Sequence, residues 1–274
     1  MKVLIIPDVH GRTFWKEPCK HIDEFDKTIF LGDYVDHYPQ EEDLDDLQAL
    51  KDVIEFAKDK DNVQLLLGNH DYHYIDDNYR KLAQSSRFSH QYLNEYHSLY
   101  RDNIKLFKIV DKVGDVIFSH AGINKEWAKN CGITNPIEIN DKDENWLSNN
   151  LSFVSSYRGG WNNTGSCVWS DLREMIPENL PSNIKFQVFG HTQLNQPLVT
   201  PKWACLDCRE AFYIDNDLNI HPWDHSDKTV SVIEYNKLYS KYRLKYEDYK
   251  LKQFLRGKLY QKGYSVEEIN SIID

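Results

Sequence analysis

Short apolar runs recur along the chain, and each of them ends in glycine and polar residues. Continuous apolar runs of this length are typical of strands that are buried on both faces, as in a sheet covered by helices. Five runs with this pattern lie at residues 3–6, 28–31, 63–67, 116–118 and 186–189. Because open α/β sheets bind their ligands at the carboxyl ends of the strands, we expect the polar residues that follow these runs to form one site.

The segment between the second and third runs has a helical pattern instead. Apolar side chains recur there at three- and four-residue spacing among acidic and lysine residues, at Leu44, Leu47, Leu50 and Ile54. This spacing predicts an amphipathic helix over about residues 41–60, and hence a β-α-β unit. After His191 the chain becomes rich in strand patterns, which indicate a second sheet packed on the first, at residues 203–206, 211–214 and 230–235.

Two longer stretches and the C-terminal segment fall outside this alternation. Residues 76–103 carry aromatic and leucine side chains at helical spacing, and residues 125–164 are rich in Asn, Ser and Trp. Because both stretches lie between site-bearing strands, we interpret them as helical cap insertions over the site and not as a separate domain. We therefore predict one domain over residues 1–235 and a polar, Lys- and Tyr-rich helical extension over residues 236–274.

The chain is acidic, since 33 Lys and Arg residues against 43 Asp and Glu residues give its 274 residues a net charge of −10. This balance argues against broad nucleic-acid binding, because phosphate contacts need Lys and Arg. No apolar stretch approaches the roughly 20 residues of a membrane span. The first apolar run is too short for an export signal and the five cysteines are scattered, so we expect a cytoplasmic protein without membrane contact.

The polar residues after the apolar runs form a candidate metal-binding set. They combine carboxylate and amide oxygens with imidazole nitrogens and no thiolate: Asp8, His10, Asp33, Asn69, His120 and His191. Such a set suits Mn²⁺, Fe or Zn²⁺ and is too rich in nitrogen for a dedicated Mg²⁺ or Ca²⁺ site. Six ligands exceed one tetrahedral site but hold two ions if one carboxylate bridges them. We expect Asp33 to be that bridge.

The same residues belong to short motifs that occur in a fixed order. The motifs are PDVHG at 7–11, GDYVD at 32–36, GNHD at 68–71, SHAG at 119–122, WSD at 169–171 and GH at 190–191. In this order they resemble the calcineurin-like metallophosphoesterases, and within that superfamily most closely the phosphoprotein phosphatase branch. The resemblance spans about residues 1–195. It implies an α/β fold, a four-layer α/β/β/α sandwich.

The resemblance also implies roles for single residues. One metal would be held by Asp8, His10 and Asp33, and a second by Asp33, Asn69, His120 and His191. His70 would be the general acid that protonates the leaving oxygen, oriented by Asp36. We expect two divalent ions, with Mn²⁺ as first choice and Fe or Zn²⁺ as alternatives. Two cations that share a water lower its pKa and supply a bridging hydroxide for attack on phosphorus.

One position departs from the family pattern. In the protein phosphatases an arginine that grips the phosphate follows GDxVD, whereas His37 stands there in this chain. A histidine donates one hydrogen bond and lacks the permanently charged fork of arginine. We expect Arg158, in the second insertion, to supply the missing phosphate contact, with a surface arginine in a turn as the alternative reading. Arg173 is a further candidate.

These observations favour a hydrolase of phosphomonoesters, with a phosphorylated protein as the substrate implied by the nearest branch. The change at His37 and the long insertions leave two alternatives open, a nucleotide or dinucleoside polyphosphate hydrolase and a phosphodiesterase. A non-catalytic binding module on the same scaffold is a third alternative. It is disfavoured because every expected ligand and the pair formed by His70 and Asp36 are present.

Overall fold

The computed structural model describes residues 1–41, 43–83 and 87–224, together with Ser265 and Glu268. Six α-helices lie within these residues: α1 (Asp46–Ala57), α2 (Asn69–Ile75), α3 (Asp77–Leu82), α4 (Leu93–Asp102), α5 (Lys125–Asn130) and α6 (Glu144–Leu151). The predicted strand at 230–235 and the predicted extension at 236–274 fall outside them, apart from Ser265 and Glu268.

Eleven strands of the described residues form two mixed sheets. The first sheet has the order β11-β10-β1-β2-β3-β4, made of β11 (Ile220–Pro222), β10 (Phe212–Ile214), β1 (Val3–Ile6), β2 (Lys27–Phe30), β3 (Val63–Leu66) and β4 (Phe107–Lys108). The second has the order β5-β6-β7-β9-β8, made of β5 (Val110–Val113), β6 (Val116–Ser119), β7 (Phe186–Phe189), β9 (Trp203–Cys205) and β8 (Leu198–Val199).

The apolar runs form strands because both faces of each sheet are covered. Along β1, Val3 and Ile5 belong to the cluster between the two sheets, whereas Leu4 packs with Leu50 of α1 on the outer face. Side chains alternate between the faces of a strand, so a strand covered on both sides is mostly apolar along its whole length. On the outer face of the second sheet, Trp203 packs in a smaller cluster with Met175 and Leu172. The four-layer α/β/β/α arrangement is thus confirmed.

The division of strands between the sheets differs from the sequence prediction. The strand-rich region after His191 was expected to supply a second sheet, but β10 joins the first sheet, antiparallel to β1. β6 and β7 pair in parallel in the second sheet, together with β9. Side-chain alternation shows that a strand is buried but not which partner it pairs with, because backbone hydrogen bonds are the same in either sheet.

The predicted helix before the third run is confirmed, with shorter bounds. Asp45 caps α1, since its side chain accepts a hydrogen bond from the Gln48 backbone nitrogen at 2.9 Å. An aspartate at the N-cap satisfies a free backbone N–H and so fixes the start of the helix. α1 therefore begins at Asp46, and its buried face is formed by Leu50, Val53 and Ile54 among others.

The first insertion contains α3 and α4, which pack beside α2. The rings of Tyr74 in α2 and Tyr96 in α4 lie 4.6 Å apart, and the hydroxyl of Tyr100 donates to Asp71 Oδ1 at 2.6 Å. The second insertion contains α5 and α6, with Trp127 fully buried. Among the described residues, no helix is both long and apolar enough to span a membrane.

Candidate metal centre

All six candidate ligands lie at the carboxyl ends of five strands, as their sequence positions predict. Asp8 and His10 follow β1, Asp33 follows β2, and Asn69 begins α2 directly after β3, while the remaining two ligands, His120 and His191, follow β6 and β7 of the second sheet. The site is therefore built where the ends of two sheets meet. The first sheet supplies four of the six residues and the second sheet supplies two.

The backbone turns sharply at several of these residues. His10, Asp33, Asp36 and His191 have positive φ angles of 44°, 52°, 60° and 65°. Left-handed backbone is uncommon outside glycine, although Asp and His adopt it more readily than most residues, and it gathers at functional sites. These turns direct consecutive strand-end side chains toward a common centre.

Two glycines allow the strand ends to approach closely. A Cβ atom at Gly68 would lie 2.1 Å from Asp33 Oδ1, and one at Gly190 would lie 1.9 Å from Asp8 Oδ1. No side-chain carbon fits at such distances. The glycine of the GNHD motif thus leaves room for Asp33 from the neighbouring strand, and the glycine of the GH motif leaves room for Asp8 from the other sheet.

The ligand atoms form two groups that share Asp33. One oxygen or nitrogen from each of Asp8, His10 and Asp33 lies within 4.8 Å of the others, and the same holds for Asp33, His120 and His191. Asn69 joins the second group, with its Oδ1 3.0 Å from His120 Nε2. Asp33, the residue predicted to bridge two ions, is thus the member that the two groups have in common.

Hydrogen bonds to backbone carbonyls orient two of the imidazoles. His10 Nδ1 is 2.7 Å from the Val35 carbonyl, and His120 Nδ1 is 2.8 Å from the Leu31 carbonyl. With Nδ1 held by the backbone, Nε2 of each ring is the nitrogen that faces the centre, as in metal-ligating histidines. The backbone nitrogen of His191 donates to both carboxylate oxygens of Asp8, at 3.1 and 3.0 Å.

Burial dominates the electrostatics of the cluster. It raises the pKa of Asp8 to about 6 and lowers the pKa of His10 and of His191 well below the usual range. For His120 burial acts downward, but the carboxylates of Asp33 and Asp8 outweigh it and raise the pKa to about 10. The centre therefore holds buried carboxylates whose negative charge needs a positive partner.

Divalent ions fit these residues. Asp8 and Asp33 are about 1% and 2% exposed, and within the described chain neither forms an ion pair with a lysine or arginine. The Nε2 of His191 is buried without a hydrogen-bond partner there. Converging oxygens and imidazole nitrogens without a lysine or arginine paired to the carboxylates are the donor set of Mn²⁺, Fe or Zn²⁺.

His70 and Asp36 form a pair beside the ligand groups. His70 Nδ1 is 2.7 Å from Asp36 Oδ2, and the hydroxyl of Tyr74 donates to the other oxygen of Asp36. The backbone nitrogen of His70 donates to Asp33 Oδ1 at 3.0 Å, and its ring lies 5.3 Å from that of His10. Because Asp36 holds Nδ1, Nε2 is the nitrogen that can face a substrate.

The two predicted phosphate-binding residues lie in different surroundings. The structure places Arg158 at the edge of the second ligand group, where it pairs with Asp171 at 2.9 Å and donates to Thr192, the residue after His191. His37 instead faces α1, with its Nδ1 3.1 Å from Asp46 Oδ1. Arg158 therefore lies at the edge of the second ligand group, whereas the His37 imidazole pairs with Asp46 of α1.

The strand-end pattern did not indicate Arg87, which the structure brings to His70. Its Nη2 is 2.9 Å from His70 Nε2, its Nη1 donates to the Asp36 carbonyl, and its guanidinium lies 4.0 Å from the centre of the Tyr38 ring. Arg87 belongs to the first insertion and follows no strand. The only sequence-based indication of Arg87 is the prediction that the first insertion covers the site.

Glu174 lies behind the WSD motif and supports it. Its Oε2 accepts hydrogen bonds from the Gly165 nitrogen at 2.9 Å, Asn124 Nδ2 at 3.1 Å and the Ser170 hydroxyl at 3.2 Å. The ring of Trp169, in the same motif, lies 5.7 Å from that of His191. Burial raises the pKa of Glu174 to about 7. The loop that contains Trp169 and packs against His191 is thus held by Glu174, whose raised pKa favours the protonated carboxyl group more than in a free glutamate.

This pKa predicts a pH dependence of stability. A carboxyl group whose pKa rises from 4.5 to about 7 on folding stabilises the fold most below 4.5, and this contribution is lost as the pH rises through about 7. Glu174→Gln cannot ionise, so the fall in unfolding free energy between about pH 5 and 7.5 should be about 1–3 kcal/mol smaller than in the wild type. Urea unfolding at both pH values measures it, with the exposed Glu55→Gln as control. Parallel pH profiles for wild type and Glu174→Gln would contradict it.

Two packed mixed sheets with buried candidate oxygen and nitrogen ligands where their ends meet fit a metal-dependent hydrolase, and the family match identifies the class as phosphoester hydrolases. The chain belongs to the calcineurin-like phosphoesterase family, whose model matches residues 1–194. This confirms the resemblance seen in the motifs. No curated protein matches the chain.

Solved structures with the same fold include two of cold-active protein-tyrosine phosphatases. One, from a psychrophilic Shewanella species, is 18% identical, with a TM-score of 0.51 over 84% of this chain and 80% of that one. The other, a structure at 1.1 Å, is 19% identical, with a TM-score of 0.54 over 84% and 79%. At such identities the likeness shows the shared fold.

Proposed function

We propose that the protein is a phosphatase that hydrolyses phosphomonoesters with two divalent ions, Mn²⁺ first and Fe or Zn²⁺ as alternatives. The observation that carries this proposal is the pair of ligand groups joined by Asp33, each within 4.8 Å, next to the hydrogen-bonded pair of His70 and Asp36. The two ligand groups suit two cations that bind a phosphoryl group. The pair of His70 and Asp36 suits a general acid.

When bound, the ions neutralise the phosphoryl oxygens and lower the pKa of a water that attacks phosphorus. The chain's own residues complete the reaction. As the bond between phosphorus and the leaving oxygen breaks, His70 Nε2 donates its proton to that oxygen, which departs as an alcohol. Asp36 Oδ2, 2.7 Å from Nδ1, fixes the ring so that Nε2 faces the leaving oxygen.

We further propose a phosphorylated protein side chain as the substrate and the cytoplasm as the location. The two similar structures named above are of protein-tyrosine phosphatases, which supports a phosphoprotein over the other candidates. All five cysteines are free thiols, at Cys19, Cys131, Cys167, Cys205 and Cys208. Free thiols are usual in a reducing compartment.

Metal removal tests the proposed reaction. Dialysis against a chelator should abolish hydrolysis of p-nitrophenyl phosphate, and added Mn²⁺ should restore it, because the buried carboxylates need cations to bind a phosphate. Metal analysis of the restored protein should give about two ions per chain. Hydrolysis that persists after verified metal removal, or metal-loaded protein without turnover, would overturn the proposal.

A substrate panel then separates the remaining candidates. Phosphopeptides, mononucleotides, dinucleoside tetraphosphates and bis-p-nitrophenyl phosphate are compared by kcat/KM on the Mn²⁺-loaded protein. The proposed phosphatase prefers the phosphopeptides. A preference for the tetraphosphate or the diester would instead identify a nucleotide hydrolase or a phosphodiesterase.

A further inference from the structure

The metal centre lacks an arginine at the position where the protein phosphatase pattern has one. His37 stands there, and its imidazole pairs with Asp46 on α1, 3.1 Å away. A phosphoryl group is bound most firmly by a charged donor with two N–H groups in a fixed plane, which histidine does not provide. The question is which side chain supplies such a donor beside His70.

Arg87 lies where such a donor is needed. Its Nη2 is 2.9 Å from His70 Nε2, the nitrogen that remains once Asp36 holds Nδ1. The other end of its guanidinium is fixed, because Nη1 donates to the Asp36 carbonyl and the plane lies 4.0 Å from the centre of the Tyr38 ring. These contacts set the direction of Nη2 and reduce the entropy lost when it binds a ligand.

The contact between Arg87 and His70 has a definite polarity. A guanidinium nitrogen can only donate a hydrogen bond, so Nε2 of His70 accepts it in the free protein. A general acid must instead point an N–H group at the substrate. Once this contact opens, both groups can donate to a substrate, because a phosphoryl group and its leaving oxygen offer several acceptors.

We propose that Arg87 binds the phosphoryl group of the substrate, on the side of the leaving oxygen, and thereby replaces the arginine missing at His37. This inference rests on the proposed phosphatase function. In the bound state Nη2 leaves His70 and donates to a phosphoryl oxygen, while His70 Nε2 faces the leaving oxygen. The first insertion thus contributes a substrate-binding residue to the site.

A substrate can reach Arg87 from solvent. The residue lines an open pocket of about 590 Å³ between the segment after Asp36 and the first insertion, and Ser89, Gln91 and Tyr92 line the same pocket. A leaving group that extends from a phosphoryl group at Arg87 therefore has room there.

The test compares Arg87→Ala and Arg87→Lys with wild type, using full-length Mn²⁺-loaded protein. Arg209→Ala is the matched control, because Arg209 also lies over the Tyr38 ring, at 5.8 Å, and pairs with Glu41. Calorimetry measures the Kd of inorganic phosphate, and steady-state kinetics on p-nitrophenyl phosphate separates KM from kcat. Thermal unfolding of each variant checks that it is folded.

We expect Arg87→Ala to weaken phosphate binding by about 10- to 100-fold, as for loss of a charge-assisted hydrogen bond, with a matching rise in KM. Arg87→Lys should recover part of the loss, and so should guanidinium ion added to Arg87→Ala. Arg209→Ala should stay within about twofold of wild type for phosphate, since it lacks the contact with His70.

A folded Arg87→Ala variant that binds phosphate within about twofold of wild type would refute the inference. Equal losses in Arg87→Ala and Arg209→Ala would also refute it, because they would show a general effect of positive charge. These results are distinct from failure of the proposed function. Wild type that binds phosphate through Arg87 but hydrolyses no phosphomonoester would refute only the phosphatase.

Discussion

Asp33→Asn should lose hydrolysis of p-nitrophenyl phosphate by at least about a thousandfold, which corresponds to about 4 kcal/mol of transition-state stabilisation. Asp33 is the only residue of the described chain that belongs to both ligand groups. Asparagine keeps the shape of the side chain and an oxygen to accept the His70 backbone N–H, 3.0 Å away in the wild type. It loses the negative charge that can bridge two cations.

Metal content distinguishes this explanation from unfolding. The variant should bind fewer than two Mn²⁺ ions per chain after chelation and reloading, with a thermal midpoint close to that of the metal-free wild type. Asp111→Asn is the matched control, because Asp111 is also buried but pairs with Lys27 and Lys108, away from the ligand groups. Full metal content and turnover in Asp33→Asn would contradict the bridging role.

Much of the fold follows from the sequence because burial on both faces leaves a continuous apolar run. β1 and β7 match their runs to the residue, whereas β2 is displaced by one residue, β3 is one residue shorter and β6 is one residue longer than its run. Helix α1 is shorter than its pattern because the cap at Asp45 fixes its start. The pairing of β10 with β1 could not be predicted, since alternation of side chains carries no information on the neighbouring strand.

In the candidate site, too, some positions follow from the sequence pattern and others depend on tertiary packing. Residues that follow a strand are placed by the strand, so the positions of Asp8, Asp33 and His191 could be predicted from the sequence. Arg87 lies in an insertion that follows no strand, and its approach to His70 depends on how α2 and α4 pack. A contact of this kind depends on the path of a whole segment, which the spacing of residues does not specify.

The charge of the chain has a different meaning at the site than over the whole surface. The net charge of −10 argues against a broad polyanion-binding face. At the candidate metal centre, however, Asp8 and Asp33 are buried among imidazoles, where their charge could hold cations. Two divalent ions together with Arg87 and Arg158 would make this small region attractive to a phosphate on an otherwise acidic protein.

His70→Asn should separate metal binding from proton transfer. We expect about a 10²- to 10⁴-fold loss of kcat on an alkyl phosphomonoester, because its leaving oxygen is strongly basic and needs a proton as the bond breaks. The loss should be much smaller on p-nitrophenyl phosphate, whose leaving group departs readily as an anion. Metal content should stay at about two ions per chain, since the His70 side chain belongs to neither ligand group.

The dependence of rate on the leaving group is the decisive measurement. In a series of aryl and alkyl phosphates, kcat of His70→Asn should fall more steeply with leaving-group pKa than kcat of wild type. His97→Asn is the matched control, because His97 Nδ1 contacts only a backbone carbonyl of α2, that of Tyr74 at 2.9 Å, in the described structure. If His70→Asn and wild type showed equal slopes, the proton would come from another group, and the pair of His70 and Asp36 would serve only to orient the substrate.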